Sequence, residues 1–237
     1  MVDRDHALAA GTPLFTFEDV HVELGGHDVL RGVDAEIPDG ALTTIVGPSG
    51  GGKSTLLRLC NRLAVPSRGR VLLRGTDLAD LDVLATRRRV GMVFQAPTLF
   101  AGTVRDNLVV AAPDATEDRW IDALARAELD RTFLDRDADT LSGGEAQRAC
   151  LARTLVTGPE VLLADEPTSS LDQGTARTLE RMIRALVDHG VPVLWVTHDP
   201  AQSRRLADWV LALDHGRVVA TGAPADVEAR LDTVEEG

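Results

Sequence analysis

Gly47-Pro48-Ser49-Gly50-Gly51-Gly52-Lys53-Ser54 is the stretch that decides the fold. It follows a short apolar run, Leu42 to Val46. It precedes a helical pattern from Ser54 to about Leu63, with Leu56, Cys60 and Leu63 on one face. A strand, a glycine turn and a helix in that order make a cradle for phosphate. Glycines let backbone N–H groups turn inward, and the helix N-terminus adds partial positive charge. Pro48 and Ser49 complete the loop. Lys53 is placed to reach the β- and γ-phosphates and the Ser54 hydroxyl to ligate Mg2+, with Thr55 a further polar group beside them. Gly51 is one glycine more than the pattern demands, which leaves extra backbone freedom before a nucleotide binds.

Working outward, Phe15 to Glu23 alternates apolar and polar residues, which predicts an antiparallel edge strand. Gly25-Gly26 turns the chain into a half-buried strand, Val29 to Ile37. Beyond the loop, Val71 to Leu73 and Val90 to Phe94 read as strands, separated by a short polar helix near Leu78 to Arg88. From Ala96 to Thr157 strand signals vanish and helical ones dominate, Glu117 to Glu128 most clearly. Strands resume at Val161 to Ala164 and Pro192 to Val196. Between them a helix from Gly174 to His189 carries Leu179, Met182, Ile183, Leu186 and Val187 on one stripe. A hairpin, Trp209 to Leu213 and Val218 to Ala220, turns about Asp214-His215-Gly216.

Three further runs carry chemistry. Leu141-Ser142-Gly143-Gly144-Glu145 contains a capping box, S-x-x-E, opening a helix toward Leu155. A cap alone needs no glycine pair; Gly143 and Gly144 leave N–H groups on which an anion can sit. Asp165 ends an apolar strand that delivers one carboxylate rigidly, as a metal ligand requires. Glu166 follows and, by strand alternation, points elsewhere, which suits a general base. His198 closes the run Thr197-His198-Asp199 after another buried strand.

Composition narrows the partners. Acidic residues outnumber basic ones 37 to 25, for a net charge of −12. That field repels duplex nucleic acid. Aromatic residues are 3 % with no tyrosine, a poor set for stacking single-stranded bases, so no nucleic-acid partner is expected. No apolar stretch approaches the ~20 residues of a membrane span. Met1-Val2-Asp3-Arg4-Asp5 lacks the basic start and apolar stretch of a secretory leader. Cys60 and Cys150 lie far apart without a CxxC, which fits a reducing cytoplasm and argues against a metal knot or disulfide framework.

The four runs, in this order and spacing, resemble the ATP-binding cassette (ABC) ATPases, from about Phe17 to about Gly222. The resemblance implies an α/β fold: a P-loop core with a mostly parallel sheet, an N-terminal antiparallel β lobe and an inserted helical lobe. It makes 1–237 one nucleotide-binding domain, with the core at about 14–95 and 158–224 and the helical lobe at about 96–157. It implies Mg2+-dependent ATP hydrolysis. Gly47 to Thr55 and the signature Ser142 to Glu145 would bind ATP, the signature acting on the nucleotide of a second cassette. Ser54, Gln95 and Asp165 would hold Mg2+, and Glu166, His198 and Gln95 would be catalytic. Glu145 departs from the more usual glutamine. Ser169-Ser170-Leu171-Asp172 is similar to the loop that crosses to the partner cassette. The family usually stacks an aromatic ring on adenine about where this chain has Leu24.

The implied assembly is a head-to-tail dimer, of this chain or with a close paralogue, docked through the segment Gln95 to Asn107 on a separate membrane permease. It would lie in the cytoplasm, peripheral on the inner face of the cell membrane. The run Gln95 to Leu108 is similar to stand-alone subunits of phosphate-import and of metal- or iron-export systems, so phosphate or a metal ion is the expected cargo. The alternative is a soluble ABC ATPase of an assembly or repair system, for example iron–sulfur cluster assembly. No coiled-coil or zinc insertion separates the loop from the signature, as repair enzymes would have, and there is one cassette rather than two.

Overall fold

The computed structural model describes residues 11–235; Met1–Asp5, the segment read for a leader, lies outside them. In chain order the strands are β1 (Phe15–Leu24), β2 (His27–Ile37), β3 (Leu42–Val46), β4 (Arg68–Leu73), β5 (Thr76–Asp77), β6 (Val90–Val93), β7 (Val161–Asp165), β8 (Val193–Val196), β9 (Trp209–Asp214) and β10 (Arg217–Gly222). The helices are α1 (Lys53–Leu59), α2 (Val83–Arg89), α3 (Val104–Ala111), α4 (Glu117–Arg126), α5 (Gly143–Leu155), α6 (Gln173–Asp188), α7 (Pro200–Leu206) and α8 (Pro224–Glu235). The protein is α/β. It divides into two compact units, one running to Arg87 and resuming at Pro192, the other Arg88–Val191.

The first unit holds an antiparallel sheet in the order β2-β1-β4-β5. The edge position expected for β1 is overturned. β1 pairs with β2 on one side and β4 on the other, Phe17 lying opposite both Ala35 and Val71. Alternation was read correctly, since Phe15, Phe17, Val20 and Val22 are buried. What alternation reports is one buried face; it says nothing of how many neighbours a strand has. In the same unit β3 pairs in parallel with both β8 and β9, and β10 closes antiparallel on β9. These strands bury Leu42, Ile45, Trp195, Val196 and Leu211 completely. Each such side chain contributes about 1.5–3 kcal/mol on burial.

Helix α1 stops at Leu59, short of the expected Leu63. Arg62 adopts a left-handed φ of 59°, and Leu63 N–H donates to the Arg58 carbonyl at 3.0 Å. That 6→1 bond is a Schellman ending, here built without glycine. Leu63 is therefore off the buried stripe and 43 % exposed. The polar helix expected over Leu78 to Arg88 is a 3-10 turn, Leu78–Asp80, followed by α2. Leu81 is extended between them, and the Asp82 carboxylate accepts from Ala85 N–H at 2.7 Å, restarting the helix.

In the second unit β6 and β7 pair in parallel, Val93 opposite Ala164. Every residue of β7 is buried, as a parallel strand covered on both faces requires. Helix α5 comes close to β6: a Cβ at Gly91 would lie 2.5 Å from Thr154 Cγ2. The stripe Leu179, Met182, Ile183, Leu186 and Val187 of α6 is buried along its length. Among the described residues no helix is long and apolar enough to cross a membrane.

Candidate nucleotide site

The two units each carry part of the predicted constellation. In the first, β3 ends at Val46 and the chain swings through Gly47 (φ 141°), Gly50 (φ 78°) and Gly52 (φ 96°) into α1. A Cβ at Gly47 would stand 1.9 Å from the Leu213 carbonyl oxygen, and one at Gly52 2.7 Å from Leu30 Cδ2. Gly51, read as surplus to the pattern, has a steric reason: its Cβ would lie 3.0 Å from the Pro48 carbonyl, to which its own N–H donates at 3.1 Å. The loop is thus tied to itself, and the extra freedom expected from a third glycine is not what that residue supplies. Gly50 faces open space.

Lys53 is 5 % exposed and donates from Nζ to the carbonyls of Gly47 and Pro48, both at 2.9 Å. An ammonium has three protons, so two are spent closing the loop from within. Gly52 caps α1 without any side-chain bond, and the first turn holds no acidic residue. The first N–H groups of a helix lack intrahelical partners, and Gly52 offers them no side-chain acceptor. Ser54 and Thr55 follow within the first turn, half-buried. Pro48 and Ser49 are exposed at the lip.

His198 belongs to the same unit. Ile45 of β3 lies opposite Val196 of β8, so Gly47 and His198 both follow the carboxyl ends of neighbouring parallel strands. Open α/β sheets bind ligands at that edge. Thr197 is buried, its N–H donating to the Ile45 carbonyl at 3.2 Å, and its hydroxyl accepts from Asp199 N–H at 3.0 Å. Asp199 then caps α7 by accepting from Ala201 N–H at 2.8 Å, leaving His198 exposed on a fixed backbone. Leu24 ends β1, 55 % exposed, opposite His27 at the tip of the β1–β2 hairpin. Just past that tip β2 packs on the loop, through Val29 and Leu30 against Gly52.

In the second unit Asp165 is the buried last residue of β7. Glu166 is half-buried and adopts a left-handed φ of 45°. The orientation expected from strand alternation is therefore replaced by something else: the strand ends at Asp165, and a backbone turn redirects Glu166. A non-glycine residue held there costs on the order of 1 kcal/mol and marks an over-determined position. The turn continues with Ser169 N–H donating to the Glu166 carbonyl at 3.2 Å. Gln95 is exposed just past β6, which pairs with β7, so it follows the strand end beside that of Asp165.

The signature sits on α5. Ser142 and Glu145 form a capping box: Glu145 N–H donates to Ser142 Oγ at 3.4 Å, and Ser142 N–H to Glu145 Oε2 at 2.8 Å. Gly143 has open space where a Cβ would be, whereas at Gly144 it would meet Thr175 Cγ2 at 2.6 Å. Ser142 to Glu145, Arg148, Ser170 to Asp172 and Thr175 line an open groove of about 510 Å³. Asp172 is committed to capping α6, accepting from Gly174 N–H, Thr175 N–H and the Thr175 hydroxyl. Those bonds, the hydroxyl first, hold its carboxyl below the usual range. Arg148 Nε is buried with no hydrogen-bond partner among the described residues.

Two contacts of this region escape sequence reading. Gln147, 1 % exposed, donates from Nε2 to the Phe94 carbonyl at 3.1 Å and so ties α5 to the segment carrying Gln95. Arg136 donates from Nη1 to Glu145 Oε1 at 2.7 Å. Neither contact has a local spacing signal.

Ser54, Gln95 and Asp165, expected as Mg2+ ligands, offer a hydroxyl, an amide oxygen and a carboxylate. All are hard oxygen donors of the kind Mg2+ takes while keeping waters. Among the described residues no group of three or more His, Cys, Asp or Glu gathers as a protein-only metal cage.

A family model described as ABC transporter matches residues 30–169. Protein STAR1 of Oryza sativa subsp. japonica is 45 % identical over 234 residues, covering 95 % of this chain and 67 % of its own. Phosphate import ATP-binding protein PstB of Pyrobaculum aerophilum is 40 % identical over 229 residues, covering 90 % and 91 %. Among solved structures, CbiO1 of Clostridium perfringens, described as part of the ABC transporter complex CbiONQ, matches with a TM-score of 0.84 at 28 % identity, covering 95 % and 94 %.

Proposed function

The chain belongs to the ABC transporter ATPase family, and from that premise we propose that it is the ATP-hydrolysing subunit of a membrane transporter whose permease is a separate chain. The observation that carries this reading is the glycine loop with Lys53 drawn onto its carbonyls. Binding of phosphates offers that ammonium an anionic acceptor in place of two neutral ones, and charge-assisted bonds are roughly twice as strong.

Chemistry at the site is positioning and electrostatics. The loop N–H groups and the N-terminus of α1 hold the phosphates, and Lys53 stabilises charge on the β- and γ-oxygens. Glu166 accepts a proton from the attacking water as its oxygen bonds to the γ-phosphorus and the bond to ADP breaks. His198 steadies the γ-phosphate and Gln95 the water. Ser54, Gln95 and Asp165 would hold Mg2+, which would supply charge neutralisation at the phosphates. The signature, Ser142 to Glu145, completes the site of a second cassette in a head-to-tail pair. Phe94 and Phe100, 45 % and 54 % exposed, lie in or beside the segment offered to the permease at the inner membrane face. The cargo is phosphate or a metal ion; the relative named for phosphate import favours phosphate.

Purification from detergent extract tests the assignment together with the Glu166→Gln variant. A strongly hydrophobic integral membrane partner is expected to accompany the chain. Glu166→Gln is expected to bind ATP and lose turnover by about 10²–10⁴-fold. Recovery with soluble partners alone would refute the permease, and turnover within about threefold of wild type would refute the base.

A further inference from the structure

The signature helix of this chain has an acid at the position where it would meet another molecule's phosphate. Glu145 is the third residue of α5, and its two oxygens have different partners. Oε2 accepts from Ser142 N–H at 2.8 Å, and Oε1 accepts from Arg136 Nη1 at 2.7 Å. Arg136 is itself held from its other side, its guanidinium 4.6 Å from the centroid of the Phe133 ring. Both partners are partly screened from solvent, with 35 % and 23 % of their side chains exposed. The other acid of the groove, Asp172, is consumed by three bonds at the start of α6.

We propose that Arg136 is a positioning residue for nucleotide binding, cancelling the Glu145 charge and pinning its carboxylate to the capping box so that the helix N-terminus still presents to an anion. This rests on the reading that the signature contacts a nucleotide phosphate. The capping need explains why a side chain with an acceptor oxygen stands at 145; it does not require a negative one, because a glutamine amide oxygen can accept the same Ser142 N–H. A carboxylate adds a full charge facing the phosphates, and Arg136 removes it at nine residues' distance along the chain. The strength of that pairing is visible on the acid itself, whose carboxyl is brought down to about 2, by Arg136 first and by the Ser142 N–H second. The neighbouring Arg148 lines the same groove.

The test is a charge-rescue cycle on the full chain: wild type, Arg136→Gln, Glu145→Gln and the double variant, each assayed for KM and kcat of ATP hydrolysis. Arg136→Gln is expected to raise the KM for ATP by about tenfold, between the values for a screened and an unscreened charge pair. That defect shrinks as salt is added. Adding Glu145→Gln to Arg136→Gln is expected to bring KM back to that of Glu145→Gln alone. Equal impairment of Arg136→Gln and the double variant, or a salt-independent defect, would reduce Arg136 to a packing role and overturn the proposal. Melting curves of all four confirm that folded protein is compared. Ser142→Arg separates the two levels: if it hydrolyses normally, the signature is not a phosphate contact and the underlying reading fails. If it is dead while rescue fails, only the charge-balance proposal fails.

Discussion

Both the phosphate loop and the signature offer a glycine-bearing helix start to an anion, yet they are built in opposite ways. At α1 the N-cap is Gly52, with no side-chain bond and no acid in the first turn. Its glycines are fixed by close approach, to Leu213 at Gly47 and to Leu30 at Gly52. At α5 the N-cap Ser142 and Glu145 satisfy each other's N–H groups, and a Cβ at Gly143 would meet open space. The signature is complete without a ligand and contributes only what its spare N–H groups can add. In the proposed site, assembled from one of each, nucleotide would be held through the first and the second would be a conditional contact.

The contrast breaks most visibly by alanine substitution. Gly47→Ala forces a Cβ to within 1.9 Å of the Leu213 carbonyl at φ 141° and is expected to cost about 3 kcal/mol or more, with loss of nucleotide binding. Gly143→Ala has room and helical geometry, so it is expected to melt at or above the wild-type temperature, by up to about 1 kcal/mol, while hydrolysis falls. Calorimetry beside an ATPase assay checks both. A Gly143→Ala protein destabilised as much as Gly47→Ala would erase the distinction.

A middle-sized effect concerns the base. Phosphate contacts dominate the loop, and the hairpin that packs on it ends in exposed Leu24 rather than an aromatic ring. Stacking on a ring adds about 1–3 kcal/mol per base. GTP is therefore expected to bind within about tenfold of ATP, a gap of ~1.4 kcal/mol. Leu24→Tyr tightens both. Competition titrations giving ATP a hundredfold preference would mean that another group reads adenine.

The smallest effect is a pH dependence confined to the signature. The carboxyl of Glu145 lies at about 2 in the fold against an ordinary 4.5. A depressed acid stabilises the fold above its unfolded pKa, and that contribution fades as pH falls from 4.5 toward 2. Glu145→Gln is expected to be less stable than wild type by about 1 kcal/mol at neutral pH, with the gap closing in acid. A gap constant from pH 7 to pH 3 in denaturation curves would contradict it.

What could be read from the sequence was what lies close along it. The loop Gly47 to Ser54 and the capping box Ser142 to Glu145 are contiguous, and their backbone consequences follow from residue type. The burial of Phe15, Phe17, Val20 and Val22 was legible by alternation, but the second neighbour of β1 was not, because it comes from β4 some fifty residues on. The turn at Glu166 leaves no residue signature, since glutamate is a poor left-handed residue held there by its surroundings. Gln147 finds Phe94, 53 residues earlier, and Arg136 finds Glu145 across a turn, both through tertiary placement.

Mixing two inactive variants tests most directly the claim that one chain's phosphate loop works with another chain's signature. Lys53→Ala removes the cation on the Gly47 and Pro48 carbonyls, and Ser142→Arg blocks the groove. Alone, each is expected to lose turnover by about 10²-fold or more. Together, a mixed pair joins the intact loop of the Ser142→Arg chain to the intact signature of the Lys53→Ala chain. Hydrolysis should then return as the two are combined and rise with their concentration. A mixture no more active than the sum of its parts, from chains shown to associate, would contradict the account.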